Sequence, residues 1–116
     1  MKLFTTVGIL VTFFVGAGAV EAYTLASGPL QSDTFLCDIV NVGPSTIPSV
    51  RLEIVNSFTA DVLESKTCTN VEPNTECVVS FQYNNAVRAF CAVSATASAN
   101  QLRGSLRAGD NLFELR

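Results

Sequence analysis

The chain has 116 residues, of which 48% are hydrophobic and 15% charged; its formal net charge is −3, and it contains four cysteines and no histidine. Such a mild acidic balance gives no electrostatic basis for binding nucleic acid or an anionic membrane. The absence of histidine excludes Ser-His-Asp and Cys-His catalysis and removes the commonest metal ligand.

The first element is an apolar run, Leu3–Val20, which follows a single lysine. It ends in Ala-Gly-Ala-Val-Glu-Ala, which places small residues at signal-peptidase spacing. This architecture predicts a secretory signal peptide over residues 1–22, cleaved after Ala22 or, alternatively, after Ala19. An uncleaved anchor is the competing interpretation, but the run is marginal for a hydrocarbon core of about 30 Å. The mature chain, residues 23–116, is expected to form a single domain that is secreted or periplasmic.

The mature chain reads as a succession of short β-strands separated by turn-forming residues. In the clearest one, Val50, Leu52 and Ile54 face one way and charged residues the other, which is typical of a half-buried strand. Asn84-Asn85 is expected to end one strand before the next begins. Seven or eight such strands predict an all-β fold, an immunoglobulin-like antiparallel β-sandwich, with a small β-barrel as the alternative. The predicted strands are Phe35–Asn41, Val50–Val55, a weaker Asp61–Thr67, Glu76–Tyr83, Ala89–Thr96, Leu102–Arg107 and Leu112–Leu115, with Tyr23–Leu30 as a further candidate.

The four cysteines, Cys37, Cys68, Cys77 and Cys91, predict two disulfides in a short exported chain, and three pairings are open in principle. The turn sequence Glu72–Thr75 folds the chain back and brings Cys68 close to Cys77, although it does not fix the register. Cys37 and Cys91 are then left for each other. A zinc site is the competing hypothesis, but the sequence has no C-x₂-C pair and no histidine.

No motif for catalysis stands out. The glycines are isolated, so there is no Gly-rich phosphate loop. Two carboxylates for glycoside hydrolysis could come from Asp38, Glu53, Asp61 or Glu64, but nothing singles out a pair. Asp38 and Glu53 are expected on solvated outer faces of strands. We therefore expect a protein that is not an enzyme and that holds no metal or other cofactor.

Four side chains are candidates for a partner surface. Arg103 and Arg107 alternate onto the outer face of one predicted strand, where they could dock an acidic protein or a polyanionic glycan. Alternatively, these charges deter aggregation at an exposed strand. Phe90 and Tyr83 flank the Asn-Asn turn and could mark a contact surface, or they could cover the open end of a small core. The expected partner is a protein or glycan at the cell surface or in the periplasm; once the signal peptide is removed, no membrane is expected.

Several segments together resemble a group of small exported bacterial proteins, mostly of unassigned function, that have a predicted immunoglobulin-like sandwich and two disulfides. The segments are Cys37-Asp-Ile-Val-Asn-Val, Cys68-(x₄)-Pro-Asn-Thr-Glu-Cys77, Phe90-Cys-Ala-Val and Leu102-Arg-Gly. They span nearly the whole mature chain, but they consist of cysteines, a turn and strand faces. The resemblance therefore implies a fold and a disulfide pairing and transfers no active-site residue.

Composition, cysteines and the lack of catalytic motifs predict a secreted or periplasmic binding or structural module stabilised by two disulfides. One alternative is an inhibitor or assembly subunit that docks one dedicated protein. The other, less favoured, is a hydrolase that uses carboxylates alone.

Overall fold

The structure is a computed structural model that describes residues 25–97 and 99–116. The predicted signal peptide and its cleavage site lie outside the described residues. The described chain is all-β, as predicted, and none of its helices is long and apolar enough to cross a membrane. Its strands are β1 (Leu25–Ala26), β2 (Leu30–Asn41), β3 (Ile47–Asn56), β4 (Val62–Val71), β5 (Glu76–Ala95), β6 (Leu102–Ala108) and β7 (Asn111–Glu114), with a 3₁₀ turn at Ala99–Gln101.

The strands form one open antiparallel sheet in the order β4-β3-β5-β2-β6-β7, and β1 adds to β5. The central strand, β5, corrects a prediction, because it runs through Asn84-Asn85 instead of breaking there. The β2–β5 ladder nevertheless skips at this point: Ser32 faces Val87, while Thr34 faces Gln82. Four residues of β5 therefore bulge out of the ladder in extended backbone where the sequence suggested a turn.

The sheet bends over onto itself, and one disulfide marks the bend. Cys37 lies opposite Val79, which is twelve positions before Cys91 on β5. At about 3.3 Å per residue, twelve positions of a straight strand would span about 40 Å. The Cα atoms of Cys37 and Cys91 are instead 6.1 Å apart. The two halves of the sheet therefore pack face to face in a sandwich-like arrangement; its immunoglobulin-like character stays a prediction.

The core lies between these two halves and follows the predicted alternation. Phe35, Cys37 and Ile39 of β2 point inward, as do Leu52 and its same-face neighbours on β3. Burying alternate apolar side chains on both layers is the main favourable term in such a fold. The fully buried large side chains of the core include Ile39, Ile47, Val50, Leu52, Ile54, Val93, Leu102 and Leu106.

The second disulfide joins Cys68 of β4 to Cys77 of β5, with Cα atoms 6.3 Å apart. The predicted turn between them forms: Thr75 donates backbone and side-chain hydrogen bonds to the carbonyl of Glu72, and Asn74 has a φ of 66°. Asparagine tolerates this left-handed conformation better than most residues. Both disulfides therefore have the predicted pairing, and two disulfides are typical of proteins in oxidising compartments.

Candidate functional site

The most exposed large apolar side chain in the described structure belongs to Phe58, at 81%. It lies in the turn between β3 and β4. The side-chain oxygen of Asn56 accepts hydrogen bonds from the backbone N–H groups of Phe58 (2.9 Å) and Thr59 (3.2 Å). Asparagine favours turns because its side chain can bond the backbone two residues on. The turn is therefore built locally, without packing of the phenyl ring.

Further hydrogen bonds fasten the same turn to β5. Ser57 donates both its backbone N–H (2.9 Å) and its hydroxyl (3.0 Å) to the carbonyl of Arg88. The N–H of Ala60 donates to the carbonyl of Asn56 at 2.8 Å, with Ala60 in the left-handed region at a φ of 64°. An L-residue other than Gly, Asn or Asp rarely adopts this conformation. The structure thus holds an exposed aromatic ring on an ordered turn.

Tyr83 lies beside this turn and is 50% exposed. Its ring stacks on Phe81 with centroids 6.0 Å apart and planes 18° apart. Both rings line a cleft of about 190 Å³ together with Asn56, Leu63 and Val87. We call this surface the aromatic end: Phe58, exposed Val62 and the residues of this cleft.

The outer face of the sheet carries a second cleft, of about 270 Å³. In the strand register, Arg107 lies directly between Leu36 of β2 and Leu112 of β7. All three side chains are exposed, and the cleft extends from Arg107 towards Ser80 and Gln82 on β5. We call this the Arg107 cleft.

The two predicted arginines share the outer face of β6 but have different surroundings. Arg103 donates a hydrogen bond of 2.8 Å to the carbonyl of Leu102. The side chain of Arg107 has no hydrogen bond or ion pair to any other described residue. Between them, Ser105 donates a hydrogen bond of 2.9 Å to Asp38. A carboxylate thus interrupts the positive stripe that the sequence suggested.

The other predicted residues lie apart. Phe90 is half-buried opposite Val55 on β3, and it does not line the cleft that contains Tyr83. Asp38 and Glu53 alternate with core residues on β2 and β3. The Glu53 side chain is only 14% exposed, so the expectation of a solvated position is wrong for Glu53. Glu53 accepts an ion-paired hydrogen bond of 2.9 Å from Arg51. The structure therefore brings none of these residues together into a catalytic pair.

Strand β7 is a short edge strand with four exposed residues. Leu115 donates to the carbonyl of Gly104 on β6, whereas Arg116 exchanges two hydrogen bonds with Ala26 on the opposite side. Because backbone groups alternate in direction along an antiparallel strand, those of Leu112 and Glu114 point away from β6. Leu112 is 55% exposed. An apolar edge of this kind is a template for adding another strand.

Within the described ranges no three His, Cys, Asp or Glu side chains cluster as metal ligands would. Arg107 and Tyr83 are among the residues expected from the sequence, whereas Phe58 is not. The available signal was an aromatic residue inside a polar turn sequence, Asn-Ser-Phe-Thr-Ala-Asp, where it cannot belong to a strand face. No protein-family model, no curated protein and no solved structure matches this chain.

Proposed function

We propose that the protein is a disulfide-stabilised binding module of an oxidising, extracellular-type compartment, which docks a protein partner through its aromatic end. The observation that carries this proposal is Phe58, whose ring is exposed although hydrogen bonds to Asn56 order its turn and hydrogen bonds to Arg88 hold it against β5. A turn that is already ordered loses little backbone freedom on binding, and exposed aromatic side chains dominate the affinity of many interfaces.

A protein partner fits this surface better than the other ligand classes. Phe58 protrudes instead of lining a cavity, so it needs a pocket supplied by the partner. Tyr83 offers a flat apolar ring with a hydroxyl, a combination enriched at protein interfaces. A polyanionic glycan would need an unbroken positive surface, whereas Asp38 lies between the two arginines of β6. The aromatic end therefore favours apolar docking over charge-driven binding.

The test is a cross-linking pull-down with oxidised protein expressed from the full sequence, in extract from its native compartment. We compare the unmodified protein with Phe58→Ala and with Val42→Ala, which removes an exposed apolar side chain at the opposite end of β3. We expect one dominant stoichiometric partner, captured by the unmodified protein and by Val42→Ala but lost with Phe58→Ala. Identical products from all three proteins would contradict the proposal.

A second candidate function, an assembly subunit, is favoured by the outward backbone groups of Leu112 and Glu114 on β7, next to which Arg116 already pairs with Ala26. The occupant of this edge would be the β7 strand of a second copy. In an antiparallel pair centred on Phe113, Leu112 of each copy faces Glu114 of the other, and their outward backbone groups can bond. This function would be favoured over the first if the pull-down gave only self-linked species. These species should persist in Phe58→Ala and be lost in Leu112→Lys.

A further inference from the structure

We propose that the Arg107 cleft binds a carboxylate that carries an apolar group, the chemistry of the C-terminal residue of a peptide. The inference rests on the proposed function, because it names the ligand chemistry that a second surface of the same binding module recognises. Its evidence is separate from that of the aromatic end and comes from the outer face of β2, β5 and β6.

The first line of evidence is the setting of the guanidinium. Leu36 and Leu112 lie directly opposite Arg107 on the two neighbouring strands. Directly opposed side chains in an antiparallel sheet have Cβ atoms about 4.5–5.5 Å apart. The aliphatic stem of Arg107 thus runs between two exposed leucines, with its charged head in solvent. An anion bound in the cleft would have the apolar surface of Leu36 within reach, whereas Leu112 flanks the arginine outside the cleft.

The second line of evidence is the composition of the cleft. Its volume of about 270 Å³ suits one side chain with its terminal group, not a folded domain or a polymer. Arg107 is its single cation, and none of the residues that line it is acidic. The lining residues are Thr34, Phe35, Leu36, Ser80, Phe81, Gln82, Arg107 and Gly109.

The third line of evidence is that the donors of Arg107 are available. The side chain of Arg107 makes no hydrogen bond or ion pair to the rest of the described chain. By contrast, Arg51 is ion-paired with Glu53, and Arg103 donates to a main-chain carbonyl. The same-face residues diagonal to Arg107 on the two neighbouring strands are carboxylates, Asp38 on β2 and Glu114 on β7. Asp38 accepts from Ser105, and neither carboxylate forms an ion pair with Arg107. A guanidinium presents a planar fork of donors that matches a carboxylate in a bidentate pair.

The test is an NMR titration of ¹⁵N-labelled oxidised protein with three small probes. N-acetyl-leucine mimics a peptide C-terminus, hexanoate carries the same chemistry from a fatty acid, and N-acetyl-leucinamide lacks the carboxylate. We expect N-acetyl-leucine to bind in the low millimolar range and to shift the amides of Leu36, Ser80 and Arg107. The amide should bind at least about tenfold more weakly, since it forfeits the charge-assisted hydrogen bonds.

Two variants distinguish binding at a specific site from general attraction of the anionic probe to a positively charged surface. Arg107→Gln should weaken binding of N-acetyl-leucine about tenfold or more. Arg103→Gln removes the same charge from the same face of β6 and should leave the affinity within twofold. Three outcomes would overturn the inference. The acid and the amide could bind equally well, or both variants could weaken binding equally. The third is that no saturable shift is seen up to 20 mM N-acetyl-leucine, about tenfold above the expected dissociation constant.

The two carboxylate probes distinguish the sources of the ligand. Tighter binding of N-acetyl-leucine than of hexanoate supports a peptide C-terminus, and the reverse order supports a free fatty acid. The proposed function is judged separately, by the dependence of the complex on Phe58. A Phe58-dependent complex without binding of either carboxylate would overturn the cleft alone, and saturable binding without a partner complex would overturn the proposed function alone.

Discussion

The side-chain amide of Asn41 donates a hydrogen bond of 2.9 Å to the carbonyl of Val71, thirty residues further along the chain. The same amide donates to the carbonyl of Ser45 at 2.9 Å, and its oxygen accepts from the N–H of Gly43 at 2.9 Å. Asn41 is the one fully buried polar side chain in the described core. It joins the end of β2 to the end of β4 and fixes the loop between β2 and β3.

Replacing Asn41 with Ala should therefore destabilise the protein strongly. The change leaves one buried carbonyl, that of Val71, and two part-buried backbone groups, those of Ser45 and Gly43, without their partner. A buried group left unpaired costs about 1–3 kcal/mol, and the part-buried groups cost less because water can reach them. Because the site can partly relax, we expect a loss of about 2–4 kcal/mol in urea unfolding. Asn85→Ala, at an exposed position of the β5 bulge, is the control and should change stability by less than about 0.5 kcal/mol. A similarly small effect of Asn41→Ala would show that water replaces the lost hydrogen bonds.

The two disulfides should contribute unequally to stability. Cys37 and Cys91 close a loop with a sequence separation of 54, whereas Cys68 and Cys77 close one of 9. In the chain-entropy description the longer loop contributes about 4 kcal/mol and the shorter about 2.7 kcal/mol. The double variant Cys37→Ala/Cys91→Ala should therefore melt at a lower temperature than Cys68→Ala/Cys77→Ala. Equal melting temperatures would mean that the Cys37–Cys91 disulfide does not stabilise the protein by lowering the entropy of the unfolded chain.

The all-β fold and the disulfide pairing could be predicted from the sequence because both depend on local, repeating signals. Alternation along Val50–Val55 defines a buried face of the strand in any sheet, and the turn Glu72–Thr75 brings Cys68 close to Cys77. The path of β5 could not be predicted in the same way. Asn84-Asn85 is a turn signal by composition, but ladder pairing on both sides of it keeps the backbone extended. Tertiary pairing here overrides a local preference.

The candidate surfaces were only partly predictable, for a different reason. The outward direction of Arg107 follows from the period of its strand, but its position between Leu36 and Leu112 depends on which strands flank β6. For Phe58 the polar turn sequence around the ring is a local signal, but whether another element packs on the ring depends on the tertiary fold. Neither surface corresponds to a single sequence motif, since each combines residues that are distant along the chain.

Gly104 of β6 should tolerate no side chain. A Cβ atom there would lie 2.6 Å from the backbone oxygen of Asp38 and 2.9 Å from the Cγ2 atom of Ile39. Alanine must therefore push β6 away from β2, and overpacking of this kind typically costs about 1–3 kcal/mol. Gly28→Ala is the matched control, because the nearest atoms to a Cβ atom there belong to the exposed ring of Phe113, at 3.1 and 3.3 Å. Chemical unfolding should show the loss for Gly104→Ala and a smaller change for Gly28→Ala; the opposite order would contradict the close approach of β2 and β6.

The order of the Phe58 turn should depend on Asn56. Replacing Asn56 with Ala removes the acceptor of the Phe58 and Thr59 N–H groups, which water can then reach. Because these donors are exposed, we expect a small loss of stability, about 0.5–1.5 kcal/mol.

The backbone order parameter at Phe58, measured by ¹⁵N relaxation, should fall from about 0.85 to below about 0.6 in Asn56→Ala. Asn111→Ala, at an exposed position on β7, should leave that order parameter unchanged. If Asn56→Ala also leaves it unchanged, the bonds from Ser57 to Arg88 are sufficient to order the turn. If the order parameter falls, the Phe58-dependent complex should bind more weakly in Asn56→Ala, because a mobile turn loses more conformational freedom on docking.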